Sequence, residues 1–185
     1  MTQTDDPMLR DVATALAGNL GASMQELADE AGVGRTTLHR RFPNRQALTE
    51  AVARYALSET DRVMTACGLD DRPAPEVFER LAQEVLPLAL AYALLWAEPP
   101  ITEHGPLEAE LELLDDRFER FAVRGQADGH LRADVPARWI VYSVGSQAMA
   151  VWWAVRAGFV GPREAERLFR LTTLDGLHAP AAPPA

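Results

Sequence analysis

The stretch from Ser23 to Phe42 constrains this chain more than any other. Ser23-Met24-Gln25-Glu26 reads as a capping box, in which a hydroxyl and a carboxylate satisfy free backbone N–H groups at a helix start. Met24, Leu27, Ala28 and Ala31 follow at helical spacing, and Gly32 stands where a helix end needs a left-handed residue. Val33 is apolar within the turn, as a plug between two helices would be. A short helix then runs from about Gly34 to Arg41, with Leu38 and Phe42 four residues apart on its buried side. That leaves Arg35, Thr36, His39 and Arg40 facing outward. Pro43 stops the helix, and Asn44 is a good N-cap for a longer one carrying Leu48, Val52, Tyr55, Ala56 and Val63 on one face. Ahead of the stretch, Leu9, Val12, Ala13, Leu16 and Leu20 give a first amphipathic helix that ends near Gly18–Gly21.

Short helices joined by tight turns, the second and third through a glycine, describe a helix-turn-helix. Such a reader is buried along one edge and polar along the other, so that it enters a major groove ~12 Å wide. The net charge of −9 over 185 residues opposes nucleic acid at first sight. Its distribution does not: Arg35 to Arg45 holds Arg35, Arg40, Arg41, Arg45 and His39 with no acid, whereas acids dominate Glu103 to Glu119. A compact basic element can dock on phosphate beside an acidic body, because the Debye length is only ~8–10 Å in ordinary salt. Four arginines alone are equally compatible with a solvated helix face.

The remaining chain is helical by pattern, without alternating β-branched runs, so the fold is all-α. Gly68, Asp70, Asp71, Pro73 and Pro75 read as a linker, which divides the chain into a DNA-binding domain 1–66 and a helical domain 67–178, with a Pro/Ala-rich disordered tail 179–185. The spacing predicts a helix over 75–96 kinked near Pro87, a loop over 98–105 and an acidic helix over 106–126. A turn at 127–136, an apolar helix over 137–157 and a last helix to about Leu177 follow. Apolar runs stop well short of ~20 residues, so no membrane span is expected. The first seven residues lack the order of a secretory signal, and Cys67 is the sole cysteine; both fit the cytoplasm.

From Leu27-Ala28-Asp29-Glu30-Ala31-Gly32-Val33 through Thr37-Leu38 to Phe42-Pro43-Asn44-Arg45-Gln46-Ala47-Leu48, the chain resembles the N-terminal signature of TetR-type (tetracycline-repressor-like) regulators. The resemblance covers roughly Leu9 to Tyr55. It implies that Ser23 presents backbone N–H groups to a phosphate, that Thr37, His39 and Arg45 hold phosphates, and that Arg35, Thr36 and Arg40 reach base edges. For Arg41, DNA contact and a structural partnership with the first helix both stay open. Three departures stand out: His39 replaces the usual Tyr, which would make that contact pH-dependent; Gly34 replaces a Ser or Thr cap; the connection between the first two helices is short.

In the C-terminal half, Val141, Val144, Gly145, Ala148, Val151 and Trp152 form a stripe of small and bulky residues, and the last helix offers Ala165, Leu168, Phe169, Leu171, Thr172 and Leu174. As sequence, the stripe fits the chain's own core and a helix-pair interface equally. The resemblance implies a homodimer on a palindromic double-stranded operator, with Val144, Ala148, Val151, Trp152, Leu168 and Leu171 at the interface. It also implies a small hydrophobic effector, for which Leu90, Trp96, Phe118, Phe121, Trp139, Tyr142 and Met149 are wall candidates; an aromatic stripe serves a core equally well. No cofactor or metal is expected. His39, His104, His130 and His178 are scattered, no phosphate loop or nucleophile elbow occurs, and the adjacent Asp115-Asp116 diverge by ~100° on a helix, so catalysis is not expected. The alternative from another class is a ligand- or protein-binding module that has lost operator recognition.

Overall fold

The computed structural model describes residues 6–97, 105 and 107–177; the loop expected over 98–105 and the tail 179–185 fall almost wholly outside them. Among the described residues the regular structure is helical: α1 Pro7–Gly18, α2 Met24–Glu30, α3 Arg35–Arg41, α4 Arg45–Cys67, α5 Ala74–Gln83, α6 Val85–Ala97, α7 Glu108–Ala127, α8 Ala137–Arg156 and α9 Pro162–Leu177. The all-α reading holds. No helix among these residues is long and apolar enough to cross a membrane.

Packing groups Met1–Thr60 with Leu90–Leu111 in a first unit, and Asp61–Ala89 with Glu112–Ala185 in a second. The division is not a single cut at the Gly/Asp/Pro-rich segment, because α4 continues unbroken to Cys67 and that segment only ends it.

In the first unit, α2 packs on α1 and α3. The core they build takes Leu9, Val12, Ala13 and Leu16 from α1, Leu27 and Ala28 from α2, and Leu38 from α3, all essentially without solvent contact. At ~25 cal/mol per Å² of apolar area, each such leucine stabilises the fold by about 2 kcal/mol. Leu20 lies past the end of α1 and is 41% exposed, so it is not part of the α1 stripe.

In the second unit, α9 packs on α8 and on α5. Phe121 stands 5.7 Å from Phe78 and 5.3 Å edge-on from Phe118, and all three are buried. Gly125 lets the turn after α7 fold back: a Cβ there would stand 2.7 Å from the Leu131 side chain. The helix expected to be kinked at Pro87 is instead two helices parted at Glu84. Pro87 lacks an N–H, and its ring would clash with the carbonyl of Gln83 four residues earlier, so the break falls ahead of it.

Candidate nucleic-acid interface

The turn that aims α3 is built by local chemistry. Ser23 Oγ accepts from the Glu26 N–H at 3.2 Å while the Ser23 N–H donates to Glu26 Oε2 at 2.7 Å, completing the capping box. Those hydrogen bonds hold the Glu26 carboxyl below its ordinary value. At the other end of α2, Gly32 adopts φ 65°, the Val33 N–H donates to Ala28 O at 2.8 Å, and the Gly32 N–H donates to Asp29 O at 3.3 Å. This is a complete Schellman stop, and it satisfies carbonyls that the helix end would otherwise leave bare.

α3 is preceded by Gly34 as N-cap, which offers no side-chain hydrogen bond, and followed by Phe42 as C-cap. Leu38 and Phe42 are buried, whereas Arg35, Thr36, His39 and Arg40 are exposed and Thr37 is half-buried. The outward edge is the one expected from spacing. Among the described residues the side chains of Arg40 and His39 make no hydrogen bond or ion pair. Arg35 makes a single contact, from Nη2 to Asp29 Oδ2 at 3.4 Å. Donors without internal partners, on a short helix, are what base edges and phosphates require.

Three other candidates are engaged within the chain. Arg45 donates through Nη1 to Ala22 O at 2.5 Å and through Nη2 to Leu20 O at 2.8 Å. Its guanidinium therefore ties down the α1–α2 turn. The Ser23 N–H is taken by the Glu26 carboxylate, whose charge also opposes a phosphate at that helix start. Arg41 forms an ion pair with Asp6, and Asp6 caps α1 through the Leu9 N–H, which is the structural partnership with the first helix.

The C-terminal candidates separate by exposure. Phe118 and Phe121 are core residues of the aromatic cluster, whereas Trp139 is 60% and Tyr142 54% exposed, so within one chain neither closes over a cavity. Met149 is half-buried; Leu90 and Trp96 belong to the other unit, the first half-buried and the second exposed. Val144, Ala148 and Val151 face inward, buried in their own chain, on a helix that is apolar around most of its girth. Trp152 and Leu168 are half-buried, and Leu171 is 38% exposed.

Residues 11–52 match the model of bacterial regulatory proteins of the tetR family. The HTH-type transcriptional regulator NfxB of Pseudomonas aeruginosa is 29% identical over 139 residues, 72% of this chain and 72% of the relative. The HTH-type transcriptional repressor LfrR of Mycolicibacterium smegmatis is 25% identical over 150 residues, 80% of this chain and 74% of the relative. Over residues 11–52 the chain is thus similar to tetR-family regulators, and over most of its length to HTH-type transcriptional regulators. Solved structures of transcriptional regulators share its fold: the TetR-like regulator LfrR from Mycobacterium smegmatis in complex with proflavine superposes with a TM-score of 0.71 at 22% identity, over 92% of this chain and 94% of that one. The regulator KstR2 of Mycobacterium tuberculosis gives 0.66 at 14% identity, over 94% of each chain. The helix-turn-helix thus falls where the sequence places it.

Sequence reasoning missed two features of the chain. Asp29, six residues before Arg35, meets it across the turn; an acid at the end of the second helix was the available signal. Arg138 gathers four carboxylates of α7: Nη2 lies 2.8 Å from Glu112 and 3.4 Å from Asp115, and Nη1 lies 3.1 Å from both Asp116 and Glu119. Burial pushes the Asp115 carboxyl up to about 6; Arg138 opposes the rise, and the three neighbouring carboxylates add to it.

Proposed function

We propose that this chain is a TetR-type, cytoplasmic, homodimeric repressor that reads a palindromic duplex through α3 and releases it when a small hydrophobic effector enters the C-terminal helices. The observation that carries the reading is the outward edge of α3, cationic and almost without internal partners, on a helix anchored by Leu38. Arg35, Thr36 and Arg40 take the base edges, arginine favouring guanine through paired donors, and Thr37 and His39 take phosphates. Ser23 and Arg45 shape the turn that carries α2.

The second copy covers the outer face of α8. Trp139, Tyr142 and Trp153 recur there at helical spacing, more than half exposed, with Leu171 of α9 also open. An aromatic face of that kind on one chain is an interface composition, used twice across a two-fold axis. Two α3 helices then span successive major grooves ~34–36 Å apart. The repressor sign and the effector lean on LfrR, which is named a repressor and has been solved with proflavine. The apolar character of the effector leans on the apolar composition of α6 and α8.

Duplexes selected from a randomised pool by the purified chain test the DNA reading, and sedimentation tests the pairing. A palindromic consensus and a particle of twice 20.3 kDa are expected. Recovery of unrelated sequences would overturn the reader, and a monomer at micromolar concentration would overturn the interface.

A further inference from the structure

Asp29 is out of place for electrostatics alone. It is an exposed acid on the last turn of α2, beside a helix proposed to enter the field of two phosphate backbones, where each negative charge weakens binding to any sequence. Its backbone is fixed, since its carbonyl accepts the Gly32 N–H in the stop of α2. Its carboxylate meets one nitrogen of Arg35, Nη2, at 3.4 Å, and among the described residues Nε and Nη1 of Arg35 have no partner. Both side chains are more than half exposed, so the pair adds little to stability. What it does is narrow the directions in which the guanidinium points.

We propose that Asp29 is a positioning residue for sequence readout: its carboxylate holds one side of the Arg35 guanidinium so that another N–H pair is presented to a guanine. A guanidinium has five donors in a rigid fork, so one can be given to Asp29 while two parallel N–H groups remain for O6 and N7. Arg35 is the first residue of α3 and its side chain is long; without a tether it samples many rotamers, most of which reach a phosphate as readily as a base. Tethering lowers the gain from non-specific contacts and raises the gain from one base pair. The inference rests on the reading of Arg35 as a base reader.

The test measures affinities of the wild-type chain, Asp29→Asn, Asp29→Glu and Arg35→Ala for three kinds of duplex. These are the duplex selected by the wild-type chain, single G·C to A·T variants of it, and a scrambled duplex of equal length. Arg35→Ala should abolish discrimination at one G·C pair and so identify it. Asp29→Asn should lower discrimination at that same pair about three- to fivefold, while binding to the scrambled duplex stays level or tightens. Asp29→Glu keeps a carboxylate within reach and should retain most of the discrimination. A plain charge effect would tighten Asp29→Asn on every duplex by one factor, and a structural effect would weaken it on every duplex; either result overturns the proposal. Unchanged discrimination at the Arg35 pair overturns it while leaving Arg35 as reader. If Arg35→Ala discriminates normally at every pair, the base-reader reading and the proposal fall together.

Discussion

Two sets of arginines in this chain differ in how much of their hydrogen-bonding capacity is already used. On α3, Arg40 has no internal partner among the described residues and Arg35 has one long contact. In the second unit, Arg138 meets four carboxylates, and Arg117 donates to Asp61 at 2.6 Å, to Asp70 at 2.5 Å and to Thr65 at 3.1 Å. The residue type is identical and the consequence opposite. An arginine enclosed by acids holds helices together and presents nothing outward. An arginine left open contributes little to folding and keeps its donors for a ligand. Arg10, Arg80, Arg120, Arg156, Arg163 and Arg170 are also open among the described residues, so openness alone does not distinguish α3. The proposed interface rests on Arg35 and Arg40 lying close together on one short helix with no acid in its sequence.

Exchanging the two kinds of loss tests that contrast most strongly. Arg40→Ala should weaken binding to the selected duplex by tenfold or more, at ~1–3 kcal/mol per base-reading arginine, and leave thermal unfolding unchanged. Arg138→Ala should do the reverse, stranding four close carboxylates and costing about 2 kcal/mol, a fall of ~4–8 °C in melting temperature. Calorimetry beside binding titrations reads both, and a variant that moves both quantities equally would dissolve the contrast.

Arg45→Gln comes next. Losing the bonds to Leu20 O and Ala22 O should cost about 1 kcal/mol of stability. The salt dependence of binding should keep its slope; a slope shallower by ~0.9 would return Arg45 to the phosphate contacts.

Asp115 sharpens the other side of the comparison. Its folded value of about 6 lies above the ordinary 3.8, so the folded state holds the extra proton more tightly. The stability it contributes is therefore full below about pH 4 and lost as pH rises through about 6. Asp115→Asn should flatten the dependence of melting temperature on pH across that window and raise stability at pH 7.5 by about 1 kcal/mol. An unaltered pH profile would remove Asp115 from the account. The smallest expected effect is Gly34→Ser, which supplies the missing cap in a backbone conformation serine adopts freely, with Thr37 Oγ1 3.6 Å from the new Cβ. A few tenths of a kcal/mol of added stability is expected by denaturant titration.

How much of this was legible in the sequence depended on whether the deciding interactions were local. The capping box at Ser23, the left-handed Gly32 and the Pro43 stop each act within a few residues, so α2 and α3 could be bounded and their outward edge named. The Ser23–Glu26 pair, three residues apart, was legible as that capping box, whereas the Arg45 bonds to Leu20 O and Ala22 O, 25 and 23 residues away, are geometry that spacing alone does not express. On α8, Val144 and Ala148 turned inward while Trp139, Tyr142 and Trp153 turned out. With apolar residues around most of the helix, no periodicity separates the face for its own chain from the face for a partner. The Arg138 cluster joins residues 19 to 26 apart in sequence, and only folding brings them together.

The central claim is that the open arginines of α3 select a sequence and do not merely attract a polyanion. Binding of the wild-type chain to its selected duplex and to a scrambled duplex, measured across a series of salt concentrations, tests it directly. Both affinities should fall with salt, and the selected duplex should stay roughly a thousandfold or more ahead at physiological salt. Equal affinity for the two duplexes at every salt concentration would contradict the account.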